Sequence, residues 1–279
     1  MKLLNKIFKL IILTIIICLL MFSYARYIEP SMLRVKNIDL KAKDIKDCRI
    51  VFFTDTHFGK LYSQSNIDKI VKKINNQNPD IVIFGGDLLD NYARDYSLLD
   101  SNSLQNSLNE IKAKYGKYAV FGNHDYGGGA SRVYEKFMSG GGFKVLKNES
   151  SYINDLNLNI IGYDDYLLGN TKKSDYKIEE NKFNLVVTHE PDVVELMTSS
   201  SENFILSGHS HGGQVTIPFL TDKILPVGAH KYVKGLYSEK NVGINHSTKM
   251  YVSSGIGMTS IPLRFLNPPE IIVFNISSN

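Results

Sequence analysis

The chain has 279 residues, 43% of them hydrophobic, enough to build one large core or two small ones. Three of its 32 basic residues, Lys2, Lys6 and Lys9, lie in an acid-free stretch at the start, so the rest nearly balances the 28 acids. A near-neutral body excludes a nucleic-acid binder built on phosphate contacts, which needs clustered Lys and Arg.

The first segment, "MKLLNKIFKLIILTIIICLLMFSYARY", carries an uncharged apolar run from Leu10 to Ala25. That run is slightly short of the ~20 residues of a spanning helix. Lys9 can snorkel, Ile7 and Phe8 extend the apolar face, and Tyr24 and Tyr27 suit the far interface. Ser23 and Ala25 form a small-x-small site, so a cleaved signal peptide competes with a retained anchor. The reading adopted is a signal-anchor over 1–27 that crosses the cell membrane once and leaves the body extracytoplasmic. Arg26, Arg34 and Lys36 pull against that orientation. Cys18 in this segment and Cys48 beyond it make no disulfide framework, and Cys48 reads as a small buried hydrophobe.

Residues 28–47 read as a linker and edge strand, and 48–279 as one domain. "RIVFFTD" is a buried strand, followed by "SNIDKIVKKINNQ", whose Ile67, Ile70, Val71 and Ile74 share a helical face behind an N-cap at Ser65 or Asn66. Next come the strand "PDIVIFGGD", a polar helix from about Leu98 to Lys114, the strand "YAVFGNHD" and a helix near Ser131 to Met138. The second half is richer in strands: "FKVLKNESSYI", "LNIIGYDD", "FNLVVTHE", "FILSGHS", "MYVSSGIG" and "EIIVFNIS", with a short helix around Asp192 to Thr198. This order predicts a mixed sheet pair flanked by helices, with the chemistry on the loops where strands end.

Five of the seven histidines fall at those strand ends. "TDTH" supplies Asp55 and His57, "GGD" Asp87, and "GNHD" Asn123, His124 and Asp125; "VTHE" supplies His189, and "GHSHGGQ" His209 and His211. In extended backbone, side chains two apart point the same way, so Asp55 and His57 can reach one ion, and His209 and His211 can face one side of the site and serve two adjacent ions, one each. Mixed imidazole and carboxylate donors suit Zn, Mn or Fe better than Ca or Mg. Their number exceeds the need of one ion and fits two sharing a carboxylate. His230 and His246 sit in no such motif and read as ordinary structural residues. The glycines of 127–130 lack a phosphate-loop context and read as a loop beside the site, and Asp164 and Asp165 as a turn.

The order D-x-H, G-D, G-N-H-D, a lone H and G-H-x-H resembles the calcineurin-like metallophosphoesterase superfamily over nearly the whole body. "GHSHGGQ", the apolar N-terminus and the later "PLRF…PPEI" resemble its membrane-associated bacterial phosphodiesterase branch, which includes enzymes of the UDP-2,3-diacylglucosamine pyrophosphohydrolase type. The resemblance implies an α+β fold, a four-layer α/β/β/α sandwich, here with one N-terminal transmembrane helix. It implies two divalent metal ions (Mn, Fe or Zn): Asp55, His57 and His211 on one, Asn123, His189 and His209 on the other, Asp87 between them. It further implies hydrolysis of a phosphodiester or pyrophosphate bond by metal-bound hydroxide, with His124 as general acid and Asp125 orienting its ring. Arg264 in "PLRF" is expected to hold a phosphate or the leaving group, or to be structural. The expected partners are the membrane, through the anchor, and a phosphorylated small-molecule or lipid substrate, with no nucleic acid. A phosphomonoesterase is the alternative, and a catalytically dead scaffold a further one; every expected position is filled, which favours an enzyme.

Overall fold

The computed structural model describes residues 2–171, 181–196, 204–219, 221–238, 242 and 248–278. His246 and the end of the short helix expected to reach Thr198 lie outside the described residues.

In chain order the helix α1 (Lys2–Ser23) leads through a short helical turn to β1 (Arg34–Ala42) and β2 (Cys48–Phe53). Then follow α2 (Ile67–Asn75), β3 (Ile81–Phe84), α3 (Tyr92–Asp95), α4 (Ser101–Asn109), β4 (Lys117–Ala119), α5 (Asn123–Gly127), α6 (Tyr134–Gly140) and β5 (Phe143–Val145). The second half contributes β6 (Glu149–Ile153), β7 (Leu158–Gly162), β8 (Phe183–Val187), β9 (Phe204–Ser207), β10 (Gly235–Tyr237), β11 (Lys249–Val252) and β12 (Glu270–Ser278).

These strands make two six-stranded mixed sheets, ordered β1-β12-β2-β3-β4-β5 and β10-β11-β9-β8-β7-β6. β2 through β5 run parallel, as do β7, β8, β9 and β11; β12 returns antiparallel to β2 and parallel to β1. Strands buried on both faces read as unbroken apolar runs, and alternation then divides each run between two cores. Ile50 and Phe52 of β2, Ile81 and Ile83 of β3, and Ile272 and Phe274 of β12 face inward, against Leu185, Val187, Phe204 and Leu206 of the other sheet. Val51, Phe53, Val82 and Phe84 face outward, under Ile70 and Ile74 of α2, Leu104 of α4 and Phe137 of α6. Each fully buried side chain of this kind is worth roughly 1.5–3 kcal/mol. The outer face of the second sheet (Ile161, Val186, Ile205, Met250) packs against Val194, Tyr232 and Val242.

The predicted face of α2 is the buried one: Ile67, Ile70, Val71 and Ile74. Its entry differs from expectation. A 3-10 turn, Gln64–Asn66, precedes the helix, and the Ser63 hydroxyl accepts the Ser65 N–H at 3.2 Å, while the side chain of Asn66 makes no cap. The predicted polar helix from about Leu98 to Lys114 is shorter. Asp100 caps α4 by accepting the Ser103 N–H, and the helix ends at Asn109. Cys18 is exposed, Cys48 is buried, and both are free.

α1 buries none of its residues and is long and apolar enough to cross a membrane. Twenty-two residues rise about 33 Å at 1.5 Å each.

Candidate metal centre

The loops that follow β2, β3, β4, β8 and β9 all emerge at one edge of the sandwich, and backbone hydrogen bonds lace them together. Asp55 N donates to Gly86 O (3.0 Å), His57 N to Asp87 O (3.1 Å) and Gly208 N to His189 O (3.1 Å). The two sheets meet where His209 N donates to the Asp55 carboxylate, at 3.1 and 3.2 Å. The extended geometry expected for D-x-H and H-x-H is absent. Asp55, His57, Asp87, His209 and His211 all have φ between 43° and 67°. Left-handed backbone at non-glycine residues costs of order 1–3 kcal/mol each and concentrates at functional sites. The chain turns back on itself at each ligand, which aims the side chains of several loops into one space. Gly86 permits this approach; a Cβ there would sit 2.7 Å from Gly122 N and 2.8 Å from His189 Nδ1. Gly208 is likewise closed in by the Asp55 carboxylate.

Seven predicted ligand positions therefore converge. Donor atoms of Asp55, His57 and His211 lie within 4.8 Å of one another, and so do those of Asp87, His189 and His209. A third group joins His57 and Asp87 to His124. Asp87 Oδ2 lies 3.4 Å from His57 Nε2 and 3.1 Å from His189 Nε2, between the two main groups. Asn123 Oδ1 is buried without a hydrogen-bond partner and borders the same cavity.

The donor set fits divalent cations. His189 Nδ1 meets Gly85 O at 2.8 Å, and His209 Nε2 meets Val227 O at 2.8 Å. A carbonyl only accepts, so these nitrogens carry protons, and in the neutral rings the opposite nitrogens have lone pairs for a cation. Burial opposes charge on His189, yet Asp87 and Asp55 raise it well above the usual range, so its Nε2 takes either a proton or a metal. His189 Nε2 is buried and unsatisfied. His211 Nε2 and His57 Nε2 approach to 2.9 Å, a distance two imidazoles tolerate when a proton or a cation lies against them.

Electrostatics agree. Burial opposes ionisation of Asp55, yet His211, His57 and His189 hold its carboxyl below the usual range. Burial opposes ionisation of Asp87 too, and His189, His124 and His57 hold it well below. Burial disfavours charge on His57, but Asp55, Asp90 and Asp87 raise it to about 9. His209 is driven to about 4, first by burial and then by His189. Buried carboxylates kept ionised demand compensating positive charge, which imidazolium or metal can supply.

His124 lies in the first turn of α5 and lines two adjoining cavities. Its Nδ1 meets Asp90 O at 2.7 Å, which leaves Nε2 as the unprotonated nitrogen of the neutral ring. Asp125 does not orient this ring, contrary to expectation. Its carboxylate accepts the N–H groups of Asp87 (2.9 Å), Leu88 (3.1 Å) and Gly122 (3.0 Å), and so fixes the loops that carry Asp87 and Asn123. Asp90 holds His124 instead. Its carboxylate also lies 3.4 Å from His57 Nδ1, accepts the Thr259 hydroxyl at 3.0 Å and pairs with Arg94 at 2.5 Å. Sequence reasoning passed over Asp90, whose one signal is an acid three residues beyond Asp87 in "GGDLLD".

Arg264 likewise departs from a substrate role. It is fully buried. Its guanidinium donates to the carbonyls of Gly257 (3.1 and 2.6 Å), Asn267 (3.0 Å) and Ser254 (2.9 Å), bracing the loop behind Asp55. Asp164 and Asp165 form the predicted turn, accepting the N–H groups of Asn170 and Gly169. Gly127 and Gly128 border the second cavity, and His230 is exposed with its N–H bound by Asp192.

The first cavity, about 320 Å³, has a polar side of Asp87, Asn123 and His124 and an apolar side of Ile224, Pro226 and Ile261. The second, about 290 Å³, shares Asn123 and His124 and continues to the polar groups of Asn91, Arg94 and Asp90.

A family model described as calcineurin-like phosphoesterase matches residues 48–213. An uncharacterized metallophosphoesterase of Bacillus subtilis (strain 168), YkuE, is 34% identical over 272 residues, covering 92% of this chain and 90% of that one. A second uncharacterized metallophosphoesterase, Cj0846 of Campylobacter jejuni, is 30% identical over 279 residues, covering 98% and 70%. The UDP-2,3-diacylglucosamine pyrophosphatase LpxG of Chlamydia muridarum is 25% identical over 319 residues, covering 91% and 92%.

Proposed function

This chain belongs to the calcineurin-like phosphoesterase family and is a metal-dependent hydrolase; from that premise we propose that it cleaves a phosphodiester or pyrophosphate bond in an amphiphilic substrate at the membrane surface. The observation that carries this reading is the meeting of two unlike cavities at Asn123 and His124, one with an apolar wall and one with a polar wall. A diester or pyrophosphate has two different substituents on its phosphoryl groups, and such a site offers each its own space. The relative named as a pyrophosphatase of UDP-2,3-diacylglucosamine supports a substrate of this kind. Residues 1–27 serve as the anchor, 28–47 join it to the body, and 48–279 form the catalytic domain on the extracytoplasmic side.

In this reading Asp55, His57 and His211 hold one divalent cation and Asn123, His189 and His209 the other, with Asp87 shared; their grouping supports the assignment. Two such cations, when bound, acidify water and screen the charge of the phosphoryl oxygens. The protein does the rest. Asn123 and His124 border both cavities and position the phosphoryl group between them. His124 in its imidazolium form delivers the Nε2 proton to the departing oxygen, while Asp90 O keeps the Nδ1 proton in place. Apolar side chains at Ile224, Pro226 and Ile261 keep water from the apolar substituent.

Metal analysis of the purified protein, with rates on bis-p-nitrophenyl phosphate, the corresponding monoester and nucleotide-lipid pyrophosphates, tests the proposal. His124→Ala should keep its metal and lose a factor of about 10²–10⁴ in kcat. Asp87→Ala should lose both metal and activity. Metal-replete protein that ignores diesters and pyrophosphates would overturn the reading.

A further inference from the structure

Six exposed apolar residues of the body fall on two stretches of chain, 217–227 and 261–266, that lie side by side at one rim, while others such as Leu98 and Leu168 lie outside these stretches. Ile217, Phe219, Ile224, Val227, Ile261 and Leu266 are all exposed, and Phe219 reaches 92%. Solvent-facing phenylalanine at that level is unusual, and apolar rims around a cavity mark surfaces that meet an apolar partner. Chain connections hold this rim together. Val215 bridges to Phe265, Thr216 N donates to Phe265 O (2.8 Å), and the Gln214 amide donates to Thr259 O and Ile261 O at 3.1 and 2.7 Å. Ile224 and Ile261 line the first cavity as well, so the rim is its mouth.

The same loop receives the end of α1. The Tyr24 ring packs edge-on against Phe265 at 6.4 Å, and Arg264 N donates to Ala25 O at 2.9 Å. The Glu29 carboxylate, almost fully buried, accepts Leu266 N at 3.0 Å and also Asn267 N. From Ser23, the last residue of α1, to Glu29 the helical chain rises only about 9 Å. One headgroup zone is about 5–8 Å thick. A body bolted this close to a spanning helix has no free tether. Its 264–267 loop sits at headgroup depth, and the neighbouring rim with it.

From this geometry we infer that the cavity mouth is a docking surface for the lipid leaflet from which α1 emerges, with Phe219 and Leu266 inserted among its headgroups and upper acyl chains. The inference rests on α1 spanning the membrane, and it adds an orientation that anchoring alone does not impose. The apolar wall of the first cavity then opens toward the leaflet, so an acyl chain enters it without crossing water.

The chain contains no tryptophan, so Phe219→Trp in the full-length protein gives a single reporter. The variant is reconstituted into phosphatidylethanolamine–phosphatidylglycerol vesicles whose acyl chains are brominated just below the headgroup. Tyr152→Trp, on an exposed residue of β6 at the far end of the second sheet, is the control. The expected result is blue-shifted, bromine-quenched emission from position 219 and water-like, unquenched emission from position 152. Water-like emission from both, in protein that floats with the vesicles, overturns this inference and leaves the anchor intact. Protein that does not float overturns the anchor and the inference together, while the hydrolase reading still stands or falls on soluble diester activity. As a functional arm, Phe219→Asp should lower the rate on a vesicle-embedded phosphodiester lipid and leave the rate on bis-p-nitrophenyl phosphate unchanged. Equal effects on both substrates also count against the docking surface.

Discussion

Asp90 steadies two histidines at once, His124 through its carbonyl and His57 through its carboxylate. Partners that orient ligating or catalytic imidazoles typically contribute 10–100-fold to affinity or activity. Asp90→Asn keeps the carbonyl and removes the charge, so kcat on a soluble diester should fall by about 10–100-fold, with metal affinity weakened by competition assay. An unchanged rate would return the orienting role to other groups. Arg264 belongs to stability. Replacing it with Met leaves buried carbonyls of Gly257, Ser254 and Asn267 without donors, at about 1–3 kcal/mol each. Arg264→Met should lower the melting temperature by roughly 10 °C while KM in the folded fraction stays close to that of the unaltered protein. A raised KM at unchanged melting temperature would restore Arg264 to the substrate. The residues that touch one another through D-x-H, G-N-H-D and G-H-x-H were legible because each motif holds several donors at once. Asp90 was missed, Asp125 was given the wrong partner and the structural alternative for Arg264 was left undecided, because the groups they hold are brought near by folding, which a linear pattern does not carry.

At the scale of elements, β4 and its neighbours show how a polar residue can fasten two helices. Lys117 opens β4, and its ammonium donates to Leu108 O (2.9 Å) and Asn109 O (3.3 Å) at the end of α4 and to Gly141 O (2.6 Å) after α6. The last carbonyls of a helix lack intrahelical donors, and a cation there satisfies them. Burial pushes Lys117 down to about 8 from 10.5. Between those values the unfolded chain keeps a proton that the folded one has lost, so this group's contribution to stability rises as pH climbs from about 8 to 10.5. Lys117→Met should remove that slope. Urea midpoints for both proteins at either end of the window check it, and parallel pH dependences would contradict it. The strands themselves were readable as β-branched and aromatic runs bounded by turns, and α2 by its face of three isoleucines and one valine. Boundaries were less so: α2 starts at Ile67 behind Asn66 as expected, but a 3-10 turn capped by Ser63 precedes it, and the segment from Leu98 to Lys114 carries too weak a periodicity to reveal that only Ser101–Asn109 is α-helical.

For the whole molecule, the centre sits where loops from both sheets interlock, with Asp55 of the first sheet accepting His209 N–H of the second. Anything that binds there and not to the unfolded chain stabilises the assembly by mass action. Removing divalent cations with a chelator should therefore abolish hydrolysis and lower the melting temperature by about 5–10 °C, the equivalent of roughly 2–3 kcal/mol. Readdition of one divalent metal should reverse both, and an unchanged melting temperature would show that the loops hold without it. A sequence pattern announces the donors; it does not announce that left-handed turns rather than extended strands deliver them, because that depends on neighbours from elsewhere in the chain. One further property follows from β12. The nine residues Glu270–Ser278 lie between β1 and β2, giving β1 its one neighbour in the first sheet among the described residues and contributing Ile272, Phe274 and Ile276 to the inner core. A strand more than two hundred residues distant in sequence thus fills the gap between β1 and β2, so the sheet closes only after far-separated stretches of chain have met, the kind of long-range pairing that slows folding.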